Sequence, residues 1–158
     1  MQSKANLSRK IDPNLWQLYL EVYFQPLQPL RFATHGMILS LWNPCGKVLC
    51  EKENRRLSRF WQGALQRANV PYQLLWGGDK QMQYRELSAY IKCDLTSGYQ
   101  WAARLNQLGF YYVDNNQLHL YNSGDTAQSD VVADNIVSRL CFVELPKNNL
   151  AIQTKNRV

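Results

Sequence analysis

The stretch from Gly36 to Val70, GMILSLWNPCGKVLCEKENRRLSRFWQGALQRANV, decides the fold because its period changes halfway. Its first seven residues form an apolar run that ends at Asn43-Pro44, with the length and boundary of a strand. A short loop carrying Cys45, Gly46 and Cys50 follows. Leu57, Phe60, Trp61, Ala64, Leu65 and Ala68 then recur at i, i+3, i+4 and i+7, which predicts an amphipathic helix. Glu51 and Glu53 sit in its first turn, where the helix dipole favours negative charge, and Asn69 and Pro71 end it.

The pattern then repeats. YQLLW (72–76) reads as a strand, GGDKQ (77–81) as a turn, and ELSAYIKC (86–93) as a second strand. In that second strand Leu87, Ala89, Ile91 and Cys93 face one side, and Glu86, Ser88, Tyr90 and Lys92 the other. LTSGYQWAARLNQLG (95–109) predicts a second helix with Gly109 as its left-handed end residue. FYYVDNNQLHLY (110–121) predicts a hairpin turning at Asp114-Asn115-Asn116. This order predicts an α+β fold: a split βαβ (ferredoxin-like) sandwich with a mainly antiparallel sheet, an extra N-terminal helix and a C-terminal extension.

Outside this core, Asp12 and Pro13 open a helix over Pro13–Phe24 that is apolar on nearly every side. Such a helix needs cover on two faces, so it is expected to fill the sheet face that the core helices leave bare, or to support a homodimer. QPLQPL (25–30) reads as a stiff linker. After Asn122 a polar loop is expected, and then apolar segments between Val131 and Leu145 that pack back. The predicted organisation is a tail and helix over 1–30, a core over 31–121, and an extension over 122–158 with a loose end.

A chain of 158 residues, 46% of them hydrophobic, suits one domain with a real core and excludes a disordered segment. Its apolar runs are too short to span a bilayer, and Met1–Lys10 lacks the apolar centre of a signal peptide, so a cytoplasmic protein without membrane contact is expected. The four cysteines are read as reduced thiols. With only His35 and His119 to add as ligands, neither a metal nor a cofactor is expected. The net charge of +6 is spread along the chain, so nucleic acid is an allowed but not favoured partner.

Three side chains are expected to converge where the first core strand ends. Asn43 closes that strand, Asn54 lies in the first turn of the following helix, and Glu86 opens the strand that runs antiparallel beside the first. Arg55 is the neighbouring cation. Two amides and a carboxyl in one hollow suit recognition of a small polar ligand through paired donors and acceptors, or of a protein partner. The competing reading is structural, with each group bonded to nearby backbone. An enzyme of unknown reaction is the second alternative, with no catalytic residues assigned, because neither histidine is set beside a nucleophile and Cys45 has no second residue to mark it as one. The nucleic-acid alternative rests on Tyr90 with Tyr111 or Tyr112 stacking bases on the open sheet face, and it lacks the glycine-aromatic signature of RNA readers.

The residues LSLWNP, Asn54 within EKENRRL, Glu86–Ser88 (ELS) and Gln107 within NQLGFYYV resemble, in order and spacing, an uncharacterised bacterial family, domain of unknown function 3293. The resemblance covers roughly Phe32 to Tyr121. It implies that Gln107 joins the candidate site, and it implies no activity, since none is established for that family.

Overall fold

A computed structural model describes residues 10–147. The expected frayed start (1–9) and the loose end from 148 onward lie outside the described residues. Helix α1 (Pro13–Leu20) leads into β1 (Tyr23–Pro26) and β2 (His35–Ser40). Helix α2 (Glu51–Arg67), strands β3 (Tyr72–Gly78) and β4 (Arg85–Ile91), helix α3 (Leu95–Arg104), and strands β5 (Gly109–Asp114), β6 (Gln117–Asn122) and β7 (Asp125–Ala133) follow. The strands form one sheet in the order β1-β3-β4-β2-β5-β6-β7, with every neighbouring pair antiparallel. The fold is α+β. Among the described residues, no helix is long and apolar enough to cross a membrane.

The alternation in the strands builds two cores. Met37, Leu39, Ala89, Ile91, Phe110 and Tyr112 point to the side that carries α2 and α3. Ile38, Leu75, Tyr90, Val113 and Leu118 point to the opposite side. Each fully buried side chain of this size contributes about 1.5–3 kcal/mol of transfer free energy. Gly36 is required by the second core: a Cβ there would lie 2.6 Å from the Tyr90 ring.

Helix α1 covers part of that second face. Trp16 is buried with Ile11 and Leu120, and Leu15, Tyr19 and Leu20 pack around them. Three hydrogen bonds clasp the helix. Trp16 Nε1 donates to Asp130 Oδ2 of β7 at 2.6 Å, and the Tyr111 hydroxyl donates to the Tyr19 carbonyl at 2.7 Å. Arg139 Nη1 donates to the Leu20 carbonyl at 3.0 Å, at the end where the last helical carbonyls have no partner inside the helix.

Several expectations are corrected. The first helix stops at Leu20 rather than Phe24, and the start of the expected linker is β1, which pairs from Tyr23↔Gly78 to Pro26↔Leu75. Burying Phe24 to 1% exposure outweighs the helical pattern, and Pro26 fits the end of an edge strand, where a missing N–H costs little. Gly77 and Gly78 belong to β3, not to the turn. Helix α3 ends at Arg104, and Asn106, with φ +53°, takes the left-handed position expected of Gly109, which instead opens β5. The polar segment after Asn122, expected as a loop, contains β7. Helix α2 is rotated: Asn54, Ser58 and Leu65 are buried, while Phe60 is 57% exposed.

Candidate functional site

The site begins with the backbone at the exit of β2. Asn43 has φ +51°, and Cys45 (+57°) and Gly46 (+68°) are also left-handed, so the chain reverses at once after the strand. Asn and Gly accept this region most readily, and the Cys45 conformation carries strain of order 1 kcal/mol. Two bonds tie the reversal to the end of α3. Cys45 N–H donates to the Asn106 carbonyl at 2.6 Å, and Gln107 Nε2 donates to the Trp42 carbonyl at 2.7 Å.

Asn43 and Asn54 then lock the loop to α2. Asn43 N–H donates to Asn54 Oδ1 at 3.1 Å. Asn54 Nδ2 donates to Asn43 Oδ1 at 2.9 Å and to the Leu49 carbonyl at 3.2 Å. Leu49 N–H donates to Asn43 Oδ1 at 2.9 Å. With both amide protons and the carbonyl of Asn54 engaged at 1% exposure, this residue has nothing left for a ligand. It is a positioning residue.

One Asn43 proton is directed elsewhere: Nδ2 donates to Glu86 Oε1 at 2.8 Å. The same oxygen accepts from the Tyr84 hydroxyl at 2.7 Å, and Glu86 Oε2 accepts from Ser40 Oγ at 2.8 Å. Sheet register brings these groups together, because Ser40 pairs with Ser88 and Gly77 with Glu86. Three donors, two from the exit of β2 and one from the residue before β4, therefore fix one half-buried carboxyl.

That carboxyl lines a cavity of about 190 Å³ between α1 and the sheet. The hollow exists because small residues follow one another across adjacent strands on this face: Gly77 of β3, Ser88 of β4, Ser40 of β2 and Gly109 of β5 all line it. Phe24, Ile38 and Tyr111 form apolar walls, and Leu15, Leu18 and Tyr19 of α1 form the roof. Burial, followed by the proximity of Tyr19 and Glu86, holds the Tyr111 phenol well above its ordinary range, while Arg139 acts in the opposite direction.

Of the five expected site residues, Asn43, Glu86 and Gln107 line this cavity. Asn54 supports it from behind. Arg55 does not join: its side chain is 64% exposed, and Nη2 pairs with Glu51 Oε1 at 2.5 Å on the outer face of α2. The cavity therefore lies not at the N-terminus of α2, whose entry the two asparagines close, but on the opposite side of the sheet. Reasoning on sequence missed Ser40, Tyr84 and Tyr111. The signal available was the facing of small residues in LSLW, WGGD and ELSA, which leaves a void on one face.

The side chains invoked for stacking bases are covered. Tyr90 is 5% exposed, its oxygen accepts from Ala33 N–H at 2.6 Å, and Phe32 lies edge-on to its ring at 5.0 Å. Tyr111 lies under α1, and Tyr112 faces the other core with its hydroxyl donating to the Cys93 carbonyl at 3.0 Å. Among the described residues, the cavity lining includes no histidine or cysteine, and no group of three or more His, Cys, Asp or Glu is placed to hold a metal ion. His35 pairs with Asp114 at 3.1 Å at the opposite end of β2.

No family model, curated protein or solved structure matches the chain.

Proposed function

We propose that the chain is a binding or regulatory domain whose cleft between α1 and the sheet takes a small molecule with a polar head and an apolar body. Glu86 receives the head. The observation that carries this reading is a carboxyl held by Asn43, Ser40 and Tyr84 at the wall of a cavity whose remaining surface is mainly apolar. Sites for small molecules combine such apolar walls with a few fixed polar groups. A carboxyl locked by surrounding donors is also preorganised, so little ordering opposes binding.

The fold reading that goes with it is the split βαβ (ferredoxin-like) type. It is supported by the strand order β3-β4-β2-β5 and by α2 and α3 lying on one face. On this reading β1, β6, β7 and α1 are additions, and α1 converts an open sheet face into a cleft. A bacterial, cytoplasmic origin is part of the proposal; it rests on the resemblance to domain of unknown function 3293 and on four free thiols.

The test is a thermal-shift screen of polar metabolites against the wild-type chain and Glu86→Gln. A compound that raises Tm in the first and not in the second supports the reading. A compound that raises both equally places binding elsewhere and overturns it.

A further inference from the structure

Resting on the cleft reading above, the geometry points to a ligand class: an organic cation, specifically an amine with an apolar body, whose ammonium group meets Glu86. The charge of the cleft carries this inference. The chain has 18 lysines and arginines against 12 acidic residues, yet the ionisable carboxyl and basic side chains that line the cavity are Glu21, Asp79 and Glu86, all acidic. The salt bridges among the described residues, His35–Asp114 and Arg55–Glu51, involve none of the three.

Among the described residues, the basic side chains on the surrounding elements make their hydrogen bonds and ring contacts outside the cavity, although the charge of Arg85 still reaches Asp79. Arg85 follows the pleat to the other face of β4, stacks on Trp76 at 5.2 Å, and donates to the Met82 and Pro146 carbonyls. Lys80 lies 5.8 Å over the Tyr23 ring. Arg139 lies 5.4 Å from the same ring and donates to the Leu20 and Val22 carbonyls. None of them lines the cavity.

An ammonium group supplies three donors and no acceptor, and Glu86 Oε2, which accepts only from Ser40 Oγ, keeps a lone pair for one of them. Charge-assisted bonds of this kind are about twice as strong as neutral ones. Tyr19 and Tyr111 line the same space, and aromatic rings attract cations. Asp79 is held by Gln83 and Tyr84 N–H groups at 2.9 and 3.1 Å, and Glu21 stands exposed at the rim. The acidic set therefore runs from the rim to the wall. A volume near 190 Å³ is below the roughly 300–1,000 Å³ of pockets for drug-sized ligands, which limits the amine to one ring or a short chain.

The experiment is calorimetric titration of the full chain with three probes of one shape: phenethylamine, phenethyl alcohol and hydrocinnamate. The expected result is saturable binding of the amine, at least tenfold weaker binding of the alcohol, none of the carboxylate, and at least tenfold loss of amine affinity in Glu86→Gln. Glu21→Gln, at the exposed rim, is expected to lose less than Glu86→Gln. Equal binding of alcohol and amine, or preference for the carboxylate, overturns the cation inference while leaving the cleft reading in place. No binding of any probe overturns both.

Discussion

Asn43 Nδ2 lies 2.8 Å from Glu86 Oε1, and this single bond joins a buried structural lock to a half-buried carboxyl that faces a cavity. The two halves of the relationship have different jobs. Behind Asn43, the amide of Asn54 holds the loop to α2; in front of it, Glu86 presents one oxygen edge to the cleft.

The two halves separate by mutation. Asn54→Ala strands the buried Asn43 N–H and the half-buried Leu49 carbonyl, and each orphaned group costs about 1–3 kcal/mol. The expected loss is about 2–4 kcal/mol, a fall in Tm of about 5–15 °C for a chain of this size. Asn43→Ala should be nearly as damaging, because it strands the Leu49 N–H and one Asn54 amide proton and leaves an alanine at φ +51°. Glu86→Gln keeps its bonds: the new carbonyl accepts from Asn43 and Tyr84, and the Ser40 proton turns to the Trp42 carbonyl 3.1 Å away. Its unfolding free energy should stay within about 1 kcal/mol of wild type. Calorimetric unfolding of the three variants checks this, and an equally large loss in Glu86→Gln would make the carboxyl structural.

The convergence of Asn43 and Glu86 was legible in the sequence because adjacent antiparallel strands bring the end of one against the start of the other. The depth of Asn54 was not. Periodicity assumes that apolar residues point inward, whereas α2 buries Asn54 and Ser58 in its first turns and exposes Phe60. Strand β1 was hidden by two prolines that read as a linker, and β7 by a polar composition that suits an exposed edge. The cavity was hardest to foresee, since it is made by side chains that Gly77, Gly109, Ser40 and Ser88 lack. Arg55 was misplaced for a simpler reason: adjacency in sequence on a helix means a rotation of about 100° away from Asn54.

The four thiols should divide into two pairs. Cys45 and Cys50 are exposed, while burial pushes the Cys93 thiol up to about 11 and raises Cys141 as well. Only the thiolate reacts, so an aromatic disulfide reagent near neutral pH should modify two thiols fast and two slowly. Mass spectrometry of the labelled peptides identifies them. The same shift affects stability. The folded chain holds the Cys93 proton more tightly than the unfolded chain, so its contribution is complete below the ordinary thiol value of about 9 and is lost as pH rises through about 11. The fall in Tm across that window should be shallower in Cys93→Ala than in wild type. Parallel curves would exclude this thiol as a cause.

The roof of the cleft depends on its clasp. Trp16→Phe removes the 2.6 Å bond to Asp130, and Tyr111→Phe removes the 2.7 Å bond to the Tyr19 carbonyl, while both keep most of their apolar contact. Each should cost about 1 kcal/mol alone, near the usual worth of one hydrogen bond. Together they should loosen α1 and speed amide exchange in Tyr111 and Leu120, which lie beneath it. Hydrogen exchange read by peptide checks this. Protection unchanged in the double variant would show that apolar packing alone holds the roof.

The final prediction concerns the void itself. Ser88 is 4% exposed and lines the cavity, and its hydroxyl makes one long bond, 3.3 Å to the Glu86 carbonyl. Ser88→Val replaces that hydroxyl with a methyl and adds a second methyl, in a central strand where β-branched residues fit well. If the hollow is space kept open for a ligand, filling part of it should raise stability, by about 1 kcal/mol for a methyl group moved out of water. Phenethylamine affinity should fall at the same time, because the added methyl occupies the space of the amine's body. A rise in Tm with weakened binding is the signature of a site that gives up packing for function. A fall in Tm would mean that the cavity is too tight to accept the methyl, and that its size in solution is smaller than ligand binding requires.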